Sequence, residues 1–419
     1  MSTFRLEHAV PHTLARPLVI AIALMLATPT FAADFTITAA DGTETTPQTL
    51  TGTAGSNTGV VETGGTLTVG AGLDAITATG SDNTITNSGA ITGGSEGITS
   101  NGDGITITNS GTITSTTNDG IFSSGTGATI TNSGTTQGGE DGIQLVGGGS
   151  TIINSGIIRG MLDNGIESNG TGNTITITKS GTIDAADVGI FSNGANATIT
   201  NSGIIDAVDD GIESNMLSIN ATIINSGTIT STTDDGIFSS GAKATITNSG
   251  TINAADDGIE SIGDNAIITN TNSGTINADY GIYSQGAKAI ITNSGTITAA
   301  GDGILSSGDD AIITNSGSIT STGDDGMGIN SDGDGAIITN SGTITSTTDD
   351  GISSSGANAT ITNSGSITST ADDGIFSSGT GATITNSGSI TGTNHAIFGG
   401  ATDGLTLNLL KGSQLMGAI

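Results

Sequence analysis

The sequence predicts an all-β chain wound into a parallel β-helix, a β-solenoid of about 14 coils of roughly 23 residues each. Three features predict it. A seven-residue unit, Ala-Thr-Ile-Thr-Asn-Ser-Gly in its clearest copy at 382–388, recurs along the chain. Isoleucine falls in three registered columns per repeat, while Gly, Thr, Ser and Asn fill most other positions. Aromatics make up 2% of the 419 residues and Trp and Cys are absent, so a core of large side chains is not available and stability must come from stacking one coil on the next.

Residues 1–32 read as a secretory signal peptide. Arg5 and Arg16 flank a polar start, 18–27 is a continuous apolar run, and Thr30-Phe31-Ala32 offers the small residues a signal peptidase takes. The run is about ten residues, half of what a spanning helix needs, and nothing later in the chain could span as a helix. Residues 33–80 are Thr- and Gly-rich, lack the Asn-Ser-Gly step and read as an N-terminal cap with first irregular coils; a solenoid needs an atypical end to shield its first edge.

The repetitive β-helix occupies 81–394. Asn-Ser-Gly appears thirteen times from Asn87 to Asn386, Asn272 included, and Lys179-Ser180-Gly181 fills a fourteenth place. Each repeat divides into three short strands. In the first, Ala-Thr-Ile-Thr-Asn, alternation sends Ala, Ile and Asn to one face and Thr to the other. The Asn residues are then expected to stack into a ladder of amide hydrogen bonds, broken once by Lys179. The Gly after Ser is expected at a corner of positive φ. The second strand, Thr-Ile-Thr, carries Ile four residues after the Asn in thirteen of the fourteen units, with Thr136 as the exception. The third opens with Gly-Ile, as at Gly236-Ile237, and places Ser two residues further on in twelve units. Helix has little support in so much Gly, Thr, Ser and Asn. Disorder is the stronger rival for a polar, Gly-rich chain, and the registered Ile columns decide against it. Residues 395–419 read as a degenerate terminal coil, truncated before whatever should follow.

Thirty-nine acidic against seven basic residues give a formal charge of −32, which argues against nucleic acid and disfavours anionic membrane surfaces as partners, since both are bound by clustered Lys and Arg. Loss of 1–32 would leave 38 acids and 5 bases.

The repeats, the signal sequence and the stretch Gly-Gly-Ala-Thr-Asp-Gly-Leu-Thr-Leu-Asn-Leu-Leu-Lys-Gly-Ser at 399–413 together resemble the secreted passenger of a Gram-negative autotransporter. The resemblance implies a β-helix carried to the cell surface by a C-terminal outer-membrane β-barrel, and in many members an adhesin. The alternating strands and aromatic girdles of a barrel are missing here, so the chain reads as a truncated or a split passenger, the latter with a separate translocator barrel as partner. No catalytic residue carries over.

The chain is expected not to be an enzyme and to hold no catalytic, cofactor-binding or metal site. Beyond the signal, His395 is the only histidine and Arg159 the only arginine. Gly93-Gly94-Ser95-Glu96-Gly97 matches the nucleophile-elbow pattern, but chance accounts for it in a Gly-rich chain, and Ser95 and His395 fall some thirteen coils apart. Three surface features remain. The pairs Asp209-Asp210, Asp234-Asp235, Asp256-Asp257, Asp349-Asp350 and Asp372-Asp373 recur at one turn, read as solvated Asp-Gly turns with calcium as the alternative. Outward Thr forms two columns, a possible ice-binding array that Ile153, Ile224, Ile290, Ile312 and Ile337 interrupt. Phe122, Phe191, Phe238, Tyr283, Phe376 and Phe398 follow the Gly-Ile pair on the outer face, placed to stack on a sugar or protein. The expected function is therefore a surface adhesin binding glycans or proteins of a host or neighbouring cell; the alternative is a purely structural stalk.

Overall fold

The computed structural model describes residues 35–51, 57–400 and 404–419, all within one compact unit, Phe31–Ile419. The signal sequence read at 1–32 lies outside the described residues. Each coil contributes three short strands, for example Thr245–Asn248, Thr251–Asn253 and Asp257–Ser261. Every strand pairs in parallel with the same strand of the next coil, so that Ile246 meets Ile268 and Ile252 meets Ile276. Three long sheets of 17, 17 and 16 strands result, forming a parallel β-solenoid. The second sheet is open: Thr43–Glu44 pairs with Thr66–Ala71 at one end, and Gln414–Ala418 with Ser389–His395 at the other. Among the described residues the one helical element is a 3-10 turn, Ala39–Asp41.

The core is the three Ile columns. Ile246, Ile252 and Ile259 are each wholly buried, and the same positions are filled by buried Ile through almost every coil. β-branched side chains suit this arrangement because they pack on a pleated surface with little rotamer freedom to lose. Burial of an Ile contributes about 1.5–3 kcal/mol, and each side chain is covered by its copies in the flanking coils rather than by its own coil. Thr136, the polar exception, is also wholly buried. Its hydroxyl donates to Asn132 Oδ1 at 3.2 Å and accepts from Asn109 Nδ2 at 3.3 Å, so the neighbouring amides absorb it.

There are about 16 turns rather than 14, because coils form where the Asn-Ser-Gly step is absent. Phe35–Ile37 pairs with Thr58–Val61, which pairs with Thr84–Asn87, and Thr406–Leu409 continues the same sheet beyond Thr383–Asn386. Alternation of buried and outward residues is enough to extend the stack.

The Asn ladder is present, with a corrected frame. Nδ2 of each Asn donates to Oδ1 of the next at 2.8–2.9 Å, in one run from Asn87 through Asn109 and Asn132 to Asn154 and a second from Asn201 to Asn386. Asn270, not Asn272, holds the ladder position in its coil, pairing with Asn248 and Asn293. Likewise Ile177, not Lys179, interrupts the ladder, opposite Asn154 and Asn201. In both coils two extra residues, Thr178-Lys179 and Thr271-Asn272, loop out before the Ser-Gly step, closed by a bond from Gly181 N to Thr178 O and from Gly274 N to Thr271 O, each 2.8 Å. Ladder Asn residues also cap the corner: Asn225 Oδ1 accepts from Gly227 N at 3.2 Å, and its Nδ2 donates to Thr251 O at 3.3 Å.

The Gly of the step is not needed for positive φ. That conformation recurs at a different turn, between the third strand and the next first strand, as at Gly127 (φ 70°), Asn220 (φ 60°) and Lys243 (φ 62°). A Cβ on Gly250 would instead overlap the Gly227 carbonyl oxygen of the preceding coil. Close approach of two backbones selects glycine here.

The inward Ser column of the third sheet carries an unusual cost. Ser239 is wholly buried and its hydroxyl has no hydrogen-bond partner, as holds for ten further members of the column. Ser168 differs, accepting from Asn173 Nδ2 at 2.9 Å. An unpartnered buried hydroxyl costs about 1–3 kcal/mol. Ser239→Ala is therefore expected to raise the urea midpoint of unfolding, by about 1 kcal/mol in stability; a fall of the same size would mean the hydroxyl is bonded in solution.

Candidate functional site

The turn between the second and third strands places its two acidic residues in different surroundings. Asp234 is half-buried, whereas Asp235 is 3% exposed. The same holds for Asp209 and Asp210, and for Asp349 and Asp350, so the solvated-turn expectation is corrected for the second member of each pair. Strand alternation explains it. Asp235 stands two residues before the inward Ile237, as Ser239 stands two after, so all three face the same side. The signal was in the Asp-Gly-Ile-x-Ser spacing, one period further back than the strand was read.

Burial leaves these carboxylates in need of donors, and the stack supplies one. Asp235 N donates to Asp210 Oδ1 at 3.0 Å, Asp257 N to Asp235 Oδ1 at 2.9 Å, Met327 N to Asp302 Oδ1 at 2.7 Å and Asp373 N to Asp350 Oδ1 at 3.0 Å. Each of these four carboxylates thus caps the main chain of the following coil. One amide does not offset desolvation. Burial first, with the field of neighbouring carboxylates, pushes Asp119 and Asp350 up to about 7 and Asp210 and Asp257 up to about 8. Asp141 and Asp235 are raised by the same causes. Burial thus biases these carboxylates towards the protonated form.

Beside this column runs the outward row of the third sheet, in which acids and aromatics alternate: Glu167, Phe191, Glu213, Phe238, Glu260 and Tyr283 occupy consecutive coils. These rings are half-buried rather than freely exposed. With the outer Asp of each turn they line an acidic groove along the rod. It deepens to about 280 Å³ around Asp187, Phe191 and Glu213, and to about 220 Å³ around Asp234, Phe238 and Glu260. Towards the C-terminal coils a depression of about 330 Å³ is lined by Asp350, Ser353, Asp372, Phe376, His395 and Phe398. There the Phe376 and Phe398 rings stack at 5.7 Å, and His395 Nδ1 lies 2.8 Å from Asp373 Oδ1.

The other candidates are not brought together. Ser95 bonds to Glu96 and accepts from Asn118 Nδ2 at 3.2 Å. The third-sheet strand beside His395, Ile397–Gly399, lies thirteen coils from the one beside Ser95, Ile98–Ser100. Arg159 pairs with Asp184 at 3.0 Å on the surface, where such a pair contributes little. The Thr array is interrupted, since Ile267, Ile290, Ile312 and Ile337 stand in consecutive coils, each about 40% exposed. Among the described residues no helix is long and apolar enough to cross a membrane.

No protein-family model, curated protein or solved structure matches this chain. The groove and the stack therefore carry the functional reading.

Proposed function

We propose that the chain is the passenger of a Gram-negative autotransporter system, exported by the signal sequence at 1–32, displayed at the cell surface by an outer-membrane β-barrel translocator, and acting there as a non-enzymatic adhesin. The observation that carries the binding role is the groove. Half-buried rings alternating with carboxylates in consecutive coils make a strip of apolar faces bounded by hydrogen-bond acceptors, the pattern that sugar rings with axial C–H faces and equatorial hydroxyls engage. Repetition along the rod supplies many weak contacts at once, and linked contacts of this kind gain avidity without any single tight pocket. The partners are glycans or glycoproteins of a host or neighbouring cell. A stalk is the second reading, favoured by the uniformity of the coils.

Purified residues 33–419, fixed to a surface, are expected to retain cells or immobilised glycans. Replacing Phe191, Phe238 and Tyr283 together by Ser is expected to reduce retention at least about tenfold, given the roughly 0.5–1.5 kcal/mol that each aromatic contact contributes, while leaving the far-ultraviolet circular dichroism unchanged. Absence of retention by the parent protein would leave the stalk.

A further inference from the structure

The capping rule of the buried Asp column fails at one place. Asp210, Asp235, Asp302 and Asp350 each accept the main-chain N–H of the equivalent residue in the next coil. For Asp257 that residue is Tyr280, whose N–H turns instead to Asp256 O at 3.3 Å. Asp257 is 5% exposed, and its Oδ1 has no hydrogen-bond partner. A buried carboxylate oxygen with nothing to accept from is costly, and a native structure keeps one where something else fills the position.

Two further carboxylates stand beside Asp257. Asp235, Asp257 and Glu260 each bring an oxygen to within 4.8 Å of the other two. Glu260 is held by Gln285 of the next coil, whose Nε2 donates to Oε1 at 2.8 Å, and Asp235 is held by the Asp257 amide. Oxygens bound to one calcium ion stand about 2.3–2.6 Å from it, so a pair lies at most about 5 Å apart. Magnesium, at about 2.1 Å in strict octahedral geometry, needs a tighter set. The ligand set is oxygen only, without histidine nitrogen or sulfur, which selects a hard cation over zinc or copper.

We propose that Asp235, Asp257 and Glu260 form a calcium-binding site that ties two adjacent coils together in the middle of the solenoid. Asp235 comes from one coil, and Asp257 and Glu260 from the next, so the ion bridges the stack, and it would satisfy a buried carboxylate that the main chain leaves short of donors. The inference is independent of the adhesin reading: the ion would stiffen the rod whether it binds a partner or only spaces one.

The test is calorimetric titration of residues 33–419 with calcium chloride, in about 0.15 M salt so that diffuse attraction to the acidic surface is screened. One calcium per chain is expected, with a dissociation constant of about 0.1–1 mM as in extracellular modules, and weaker binding of magnesium. Asp257→Asn, which keeps shape and removes the charge, is expected to lower the affinity at least about tenfold with the circular dichroism unchanged. Asp206→Asn, exposed on the second sheet, is expected to bind as the parent does. Three results would overturn the proposal: no calcium heat, Asp257→Asn binding as the parent does, or Asp206→Asn losing as much affinity as Asp257→Asn. Should Asp257→Asn fail to fold, Glu260→Gln gives the same reading from the half-buried ligand.

Discussion

Gly250→Ala is expected to destabilise the solenoid by roughly 3 kcal/mol, a large effect for one methyl group. The added carbon has no empty volume to enter. It would overlap the carbonyl oxygen of Gly227 in the preceding coil, and similar overlaps await a Cβ at Gly111, Gly317 and Gly388. A backbone oxygen cannot rotate aside as a side chain can, so relief must come from separating two coils, which lengthens ladder hydrogen bonds and uncovers the Ile column. Gly127→Ala provides the contrast. There φ is 70° and nothing lies within 4 Å of the position, so only the left-handed backbone is strained, at about 1–2 kcal/mol. Urea midpoints of the two variants decide the matter. Equal losses would mean that the coils yield to the added carbon and that close approach does not set the glycine requirement of the Asn-Ser-Gly step.

Stability is expected to fall as pH rises from about 4 to about 9, the reverse of proteins whose carboxylates are stabilised by folding. The sign follows from Asp119, Asp141 and Asp350, all raised above their unfolded value by burial and by neighbouring acids. Between the unfolded value near 3.8 and the folded value the native chain binds more protons, so their contribution is fully present below about pH 4 and is lost as pH climbs through about 7 at Asp119 and Asp350 and higher at Asp141. Each such group contributes up to about 1.4 kcal/mol per pH unit across its window, reduced by whatever water reaches the groove. Self-repulsion of the remaining acids acts in the same direction. Denaturant midpoints from pH 5 to 9 check this, and Asp119→Asn is expected to flatten the profile, since Asn164 already occupies an equivalent, nearly buried place in the column. A midpoint that climbs from pH 5 to 8 would contradict the burial of these protons.

The parts of the fold legible in the sequence were those that a single coil contains. Ile246, Ile252 and Ile259 could be placed inside from their own neighbours, because alternation within four residues settles which way a strand residue points. The candidate site was legible only in part. The Asp pairs and the rings after Gly-Ile were visible as columns, but the inward turn of Asp210, Asp235 and Asp257 was not, because Asp before Gly is also ordinary turn chemistry. The groove needed both columns to lie side by side, which depends on how sharply the chain bends before Gly236.

From its sequence this chain acquires a period of about 23 residues, three strands per turn and an aliphatic interior, because repetition and alternation are properties of residues near one another along the chain. Only the tertiary structure decided that Asn270 and Ile177 rather than Asn272 and Lys179 stand in the ladder column, and that among the described buried Asp residues Asp257 has an Oδ1 left without a donor. Those outcomes depend on which N–H or carbonyl of the adjoining coil lies opposite a given side chain. That is a relation between residues about 23 apart, and one coil's chemistry does not contain it.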